Sequence, residues 1–192
     1  MRDDPSAGWE AAAASFAALR SPVGVDAVLR WSSHVRPGGA ILDIGCGTGV
    51  PIGTALSARG FAIHGIDASP TLLDTFRRHL PDAKAACETA ETGHFFDRKF
   101  DGIIAIGLMF LLDEGRQRAL IARVAQCLEP GGHLLFTAPR HSCHWNDSLT
   151  GRHSHSLGWE TYRRLLWQAG LEPIGHDSDE GGNDYLHASS VP

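Results

Sequence analysis

The residues with the clearest chemistry are Asp43-Ile44-Gly45-Cys46-Gly47-Thr48-Gly49, which follow the apolar pair Ile41-Leu42 and lead into Val50-Pro51. A glycine at every second position lets the backbone adopt φ > 0. It also removes the Cβ atoms that would keep a ligand away from the main chain. Pro51 can begin a helix, because the N–H it lacks would find no intrahelical partner in the first turn, and the free amides of such a start favour electron-rich ligand groups. The stretch is a cradle for a small polar ligand. Asp67 closes a second apolar run 18 positions after Gly49. Alone it reads as a helix cap or turn residue. Paired with the glycine turn, its carboxylate is placed to accept hydrogen bonds from both hydroxyls of a ribose.

A second group, His141, Cys143, His144, His153 and His155, falls in one segment after the last apolar run of the alternating region. Histidine can take a proton near neutral pH. His141 and His144 are the candidate bases, each equally readable as an exposed loop histidine. The same side chains admit a zinc reading, but their spacing matches no compact metal motif and no metal is expected.

The elements that must position these groups follow from apolar periodicity and breakers. Helical patterns span Ala7 to Leu19 and Val23 to Val35; both cover the sheet, and the first can alternatively lid the ligand site. Arg36-Pro37-Gly38-Gly39 turns the chain into the opening strand. A helix from Pro51 to Arg59, a strand from Phe61 to Ile66 and a helix opened by Ser69-Pro70 follow. Short strands at Ala83 to Cys87 and Phe100 to Ile106 precede a helix from Glu114 to Leu128. Glu129-Pro130-Gly131-Gly132 then turns into a strand at His133 to Ala138. This order predicts a mainly parallel sheet with helices on both faces, with ligands outside the carboxyl ends of the strands. After Pro139 the pattern changes to a long His- and Trp-containing loop, a helix near Trp159 to Ala169, and two strands that form an antiparallel hairpin. Residues 1–36 form an N-terminal helical segment and 37–192 the main unit of a single domain.

The chain of 192 residues is 43% hydrophobic and 20% charged, with a formal net charge of −5, a composition that argues for a globular protein and against one that tracks phosphates. No apolar run approaches membrane-spanning length. The four cysteines lack CxxC spacing, which suits a reducing cytoplasm. Neither nucleic acid nor membrane is an expected partner, and nothing in the chain fixes the oligomeric state.

Asp43 to Gly49, Gly65-Ile66-Asp67, Thr89-Ala90-Glu91, Phe100-Asp101-Gly102-Ile103 and Leu128 to Gly132 together resemble the successive motifs of class I S-adenosylmethionine-dependent methyltransferases. The resemblance is closest to small bacterial methyltransferases of unassigned substrate, which share the Asp-Ile-Gly-Cys-Gly-Thr-Gly-Val-Pro opening, a helix like Leu157 to Leu166 and an acidic Gly-Gly turn like Asp179 to Gly182. It implies a Rossmann-like seven-stranded sheet whose last strand is antiparallel. The cofactor would be S-adenosylmethionine, held by Asp43, Gly45, Cys46, Gly47, Thr48, Gly49, Asp67, Ala68, Thr89, Ala90, Glu91, Ile106 and Gly107. Thr89 stands where the family often has Asp, so its hydroxyl or Glu88 would have to replace a charged adenine contact.

The implied reaction is methyl transfer to an N, O or S atom of a small-molecule acceptor. Met109 and Phe110 either contact that acceptor or pack the core; Trp145, His153, His155 and Tyr162 would extend its wall. Two alternatives remain open, a non-catalytic S-adenosylmethionine-binding protein and an NAD(P)-dependent oxidoreductase. The Gly-x-Gly-x-Gly alternation differs from the spacing that cradles a dinucleotide pyrophosphate.

Overall fold

The computed structural model describes residues 4–19 and 21–191. The strands are β1 (Ala40–Ile44), β2 (Ala62–Asp67), β3 (Lys84–Cys87), β4 (Phe100–Ala105), β5 (Leu128–Thr137), β6 (Cys143–Asn146), β7 (His153–Ser156), β8 (Leu171–Ser178) and β9 (Asp184–Ser190). The helices are α1 (Trp9–Ala18), α2 (Val25–Trp31), α3 (Ile52–Ala58), α4 (Pro70–His79), α5 (Glu114–Cys127) and α6 (Trp159–Gln168).

Seven strands form one sheet in the order β3-β2-β1-β4-β5-β9-β8. Pairing is parallel from β3 to β5 and antiparallel where β9 meets β5 and β8. This is the expected Rossmann-like architecture with a reversed last strand. The chain leaves β1 toward β2 on one side and returns to β4 on the other, so the carboxyl ends of β1 and β4 flank a topological switch point.

Local chemistry explains the helix boundaries. The Ser69 hydroxyl accepts the Leu72 N–H, Pro70 fills the first helical position, and Leu72, Leu73 and Phe76 give α4 its buried stripe. Asp113 caps α5 by accepting the Arg116 N–H at 2.9 Å. Two apolar clusters cover the faces of the sheet. One gathers Leu120, Ile121 and Val124 of α5 with Tyr162, Leu165 and Leu166 of α6. The other gathers Val28 and Trp31 of α2, Leu56 of α3 and Phe76 of α4.

Three expectations are corrected. The helix predicted from Val23 to Val35 ends at Trp31 and continues as a 3-10 turn, Ser32–His34. The fifth strand starts at Leu128 rather than His133: Leu128 pairs with Phe100, and pairing resumes at Gly102 and His133. The turn between them, 129–132, is held by Ser190, whose Oγ donates to the Glu129 carbonyl at 2.6 Å and accepts the Gly132 N–H at 3.0 Å. Finally, the loop after Pro139 contains a hairpin of β6 and β7, with Cys143 opposite Ser156 and Asn146 opposite His153. Its turn is set by Asp147 Oδ1, which accepts the Leu149 and Thr150 N–H groups and the Thr150 hydroxyl. The inward residues of β7 are serines, so the period-two alternation of a strand is hidden in a run of polar residues.

Candidate functional site

A cavity of about 160 Å³ lies at the carboxyl edge of the parallel strands. Its floor begins with the turn after β1. Gly45 and Cys46 both donate to the Ile66 carbonyl at 2.8 and 3.0 Å, which fastens the turn to the end of β2. Gly47 has φ +54°, and a Cβ there would lie 2.9 Å from Phe16 Cε1, so glycine is required by both the backbone and the ring above it. Gly45 and Gly47 line the cavity, whereas Asp43 and Cys46 are buried behind it and Thr48 and Gly49 support the turn without lining it. Gly49 N–H donates to the Cys46 carbonyl at 2.9 Å. Burial, followed by the negative charges of Asp43 and Asp67, pushes the Cys46 thiol well up, so it stays protonated and inert.

Asp67 ends β2 facing the glycine turn. Its Oδ2 accepts the Gly47 N–H at 2.8 Å and its Oδ1 the Ser69 N–H at 2.8 Å. These bonds orient the carboxylate and leave each oxygen a further lone pair. Burial raises the Asp67 pKa above the ordinary aspartate value, and the two backbone bonds oppose that rise.

One side of the cavity is formed by Ala68 and Leu72, the other by Glu88, Thr89, Ala90 and Glu91. Arg123 of α5 holds this second wall, donating to the Ala90 carbonyl at 2.7 Å and to the Gly93 carbonyl while its guanidinium lies over the Phe95 ring. The Thr89 hydroxyl is engaged by Thr92, through its Oγ1 at 2.8 Å and its N–H at 3.2 Å. Glu88 Oε2 accepts the His94 N–H at 2.9 Å, and Glu91 pairs with Arg116 at 3.2 Å. Ile106 and Gly107 complete the floor, where the Gly107 N–H donates to Thr137 Oγ1 at 2.7 Å.

The roof comes from α1. Trp9 and Phe16, whose rings meet edge to face at 5.4 Å, both line the cavity, so α1 covers it. Glu10 fixes this helix to the start of α4: Oε2 accepts the Ser69 hydroxyl at 2.5 Å and Oε1 the Thr71 hydroxyl at 2.5 Å. The fourth wall is made by Leu108, Leu111 and Leu112 with Thr150, Arg152, His153 and Ser154 of the hairpin.

Of the sequence candidates beyond the glycine turn, His153 lines this cavity and His141 does not. His144 and His155 line a neighbouring groove, which His153 and Ser154 share. Phe110 and Trp145 lie against each other with ring centroids 5.2 Å apart, outside the main cavity. Met109 and Tyr162 face the core. Tyr162 is fully buried; its hydroxyl donates to Gln117 Oε1 at 2.7 Å and accepts the Leu157 N–H at 3.2 Å. Gln117 Nε2 donates to the carbonyls of Leu112 and His155, so the pair ties α6, α5 and the hairpin together. Tyr162 is therefore a strut rather than part of the wall. No signal in the linear sequence ties Arg123 to a loop some 30 residues earlier. The apolar spacing of Trp9 and Phe16, by contrast, already put both on one helix face. Among the described residues, no group of three or more His, Cys, Asp or Glu side chains is arranged to hold a metal ion.

Residues 41–132, from the opening strand to the turn inside β5, match the methyltransferase domain family. The chain carries a class I S-adenosylmethionine-dependent methyltransferase domain. No curated protein matches the sequence. Among solved structures, this methyltransferase is similar to the CcbJ methyltransferase of Streptomyces caelestis, with a TM-score of 0.75, 15% identity and 98% of each chain covered. It is also similar to an amino pentose methyltransferase of Micromonospora echinaspora solved with S-adenosylmethionine bound (TM-score 0.70, 18% identity, 93% of this chain and 95% of that one). A third is a TehB-like methyltransferase of Corynebacterium glutamicum (TM-score 0.66, 21% identity, 92% of each chain). At these identities the structural likeness establishes the fold of the methyltransferase and leaves its acceptor undetermined. Among the described residues no helix is long and apolar enough to cross a membrane.

Proposed function

We propose that this methyltransferase acts on a small molecule, carrying the methyl group of S-adenosylmethionine to an N, O or S atom and releasing S-adenosylhomocysteine. The observation that supports this reading is a single cavity whose floor carries the glycine turn and Asp67, whose roof is the aromatic face of α1 and one of whose walls is the polar hairpin. A concave cavity of about 160 Å³ with a largely apolar lining suits a small partner.

The residues present fit the cofactor. Gly47, where a Cβ would meet Phe16, leaves bare backbone for close approach, and Asp67 offers an oriented, half-buried carboxylate to ribose hydroxyls. Ala68 and Leu72 on one side and Thr89, Ala90 and Glu91 on the other would hold the adenine, with Ile106 and Gly107 beneath the sulfonium end. S-Adenosylmethionine supplies a methyl group already activated by its sulfonium. The protein's part is to orient an acceptor atom and exclude water, a proximity contribution of several kcal/mol. Trp9, Phe16 and Leu108 provide the dry lining. Where the acceptor atom must lose a proton, His153 is the group that takes it, since of His141, His144, His153 and His155 it alone lines the cavity.

Calorimetry with S-adenosylhomocysteine tests the cofactor assignment, with micromolar binding expected and none at millimolar ligand sinking it. NAD(P) should leave the melting temperature unchanged, because only a ligand of the native state raises it. Turnover of methyl-labelled cofactor on a metabolite panel separates an enzyme from a binding protein. His153→Asn should lower kcat at least about 100-fold for an acceptor that ionises, whereas His141→Ala should not.

A further inference from the structure

The hairpin end of the cavity contains a buried polar atom that folding leaves without a partner. Ser154 is completely buried, its Oγ has no hydrogen-bond partner, and it contributes to both the main cavity and the adjoining groove. A hydroxyl removed from water without a hydrogen bond costs about 1–3 kcal/mol, so a ligand that reaches it gains a contact the free protein lacks. Ser156, the next inward residue of β7, shows the contrast: its Oγ donates to the Pro139 carbonyl at 2.7 Å and accepts the Gly158 N–H at 3.1 Å.

Two positions before Ser154, and so on the same side of an extended segment, Arg152 also lines the main cavity. The other charges of the wall are answered within the protein. Arg116 is paired with Glu91 and Asp113, each at 3.2 Å. Asp67 accepts the Gly47 and Ser69 amides, and Glu88 accepts that of His94. Asp4, whose charge Arg152 feels, directs its carboxylate to the Ser6 and Gly8 N–H groups and the Ser6 hydroxyl. Among the described residues the Arg152 guanidinium has no hydrogen bond or ion pair of its own. The rest of the wall combines the apolar Leu108, Leu111, Leu112, Trp9 and Phe16 with the neutral polar Ser6, Thr89 and Thr150 and with His153.

Resting on the methyltransferase reading, we propose that the hairpin is the acceptor subsite, and that the acceptor is a small monocarboxylate with an apolar body. Its carboxylate pairs with Arg152, and a polar atom of the acceptor meets Ser154 Oγ. A single uncompensated guanidinium matches one negative charge and offers a fork that fits a carboxylate. A phosphomonoester, at about −1.5 to −2 near neutral pH, would bring further negative charge to a lining that already carries Asp67, Glu88 and Glu91 and whose other guanidinium, Arg116, is paired.

The test uses the whole chain and a panel of aromatic and aliphatic monocarboxylates, each with its matched amide and amine, titrated with and without saturating S-adenosylhomocysteine. At least one acid should bind tenfold or more tightly than its amide, and its amine should not bind. Arg152→Gln should erase the acid preference. Ser154→Ala should raise the melting temperature of the free protein, because the unpartnered hydroxyl is gone, and weaken binding of the preferred acid about fivefold or more. S-Adenosylhomocysteine affinity should be unchanged in both variants. The proposal is overturned if no acid is preferred, if Arg152→Gln keeps the preference, or if Ser154→Ala stabilises the protein without affecting acid binding. Failure of S-adenosylhomocysteine to bind counts against the methyltransferase reading instead, and the acid preference is then read from the titrations made without it.

Discussion

Glu10, in the first turn of α1, accepts the hydroxyl of Ser69 at 2.5 Å, and Ser69 in turn donates its backbone N–H to Asp67. The helix that covers the cavity is thus fastened two residues away from Asp67, the carboxylate proposed for the ribose. The negative side chain also sits at the amino end of α4, where the helix dipole favours it. Hydrogen bonds from Ser69 and Thr71 hold the Glu10 carboxyl below the ordinary glutamate range, so the latch stays ionised through the neutral region. Glu10→Gln should raise the dissociation rate of S-adenosylhomocysteine roughly three- to tenfold, the scale of one hydrogen bond's net contribution. Trp9, which lines the cavity, supplies the fluorescence signal for a stopped-flow measurement. An unchanged rate would show that the contact does not restrain the helix.

Gly47→Val places a β-branched side chain at φ +54°, against Phe16. The backbone strain costs about 1–2 kcal/mol, so the circular dichroism spectrum should remain that of a folded protein with a lowered melting temperature. Calorimetry should detect no S-adenosylhomocysteine binding. His141→Ala should bind as the parent does.

On the other edge of the molecule, His133 Nδ1 and His187 Nε2 lie 3.0 Å apart, and the His34 ring centroid is 4.9 Å from that of His187. Burial, reinforced by His133 and then His34, lowers the His187 pKa to about 4. Burial lowers that of His133 as well. In the unfolded chain histidine titrates near 6.5. The unfolded state therefore takes up protons first, and stability that is complete above about pH 6.5 is lost as the pH falls toward 4. Discounted for the partial exposure of His187, the loss is on the order of 2 kcal/mol. Chemical denaturation at pH 7.5 and 4.5 measures it, and His187→Phe should flatten the dependence. A melting profile unaffected by that substitution would remove the cluster as its source.

Tyr162→Phe deletes the hydroxyl that joins Gln117 to Leu157. The buried Gln117 Oε1 then loses its donor, at a cost of about 1–3 kcal/mol. Because Tyr162 supports the hairpin from behind, S-adenosylhomocysteine affinity should stay within about twofold while the denaturation midpoint drops. A selective rise in acceptor KM with no loss of stability would instead return Tyr162 to the cavity wall.

Much of this arrangement was legible in the chain because it rests on local rules. Glycines at alternate positions, Ser69-Pro70 and the apolar stripe of α4 each have one inexpensive conformation, and they mark the parallel half of the sheet and its ligand edge. What escaped is what depends on distant partners. His141 and His153 carry the same side chain in the same segment; only the pairing of β6 with β7, set by Asp147 and the turn it organises, puts one on the cavity and leaves the other off it. Tyr162 reads as an aromatic wall residue until Gln117, 45 positions earlier, is seen to hold its hydroxyl. Ser154 looks like an ordinary polar residue, and its significance lies in the bond it fails to make.

At the far end of the chain, the acidic Gly-Gly turn brings together Asp179 and Tyr185, whose hydroxyl donates to the Asp179 carboxylate at 2.9 Å in the space left by Gly24. A Cβ at Gly24 would overlap that hydroxyl, and Arg30 of α2 adds an ion pair to Asp177. The last hairpin thereby serves as the mooring of α2, the helix that follows α1 in the chain. Substitutions at Tyr185 or Asp179, neither of which lines the cavity, would shift the helix that follows α1, and so would register as altered ligand exchange in a protein whose cavity lining is intact.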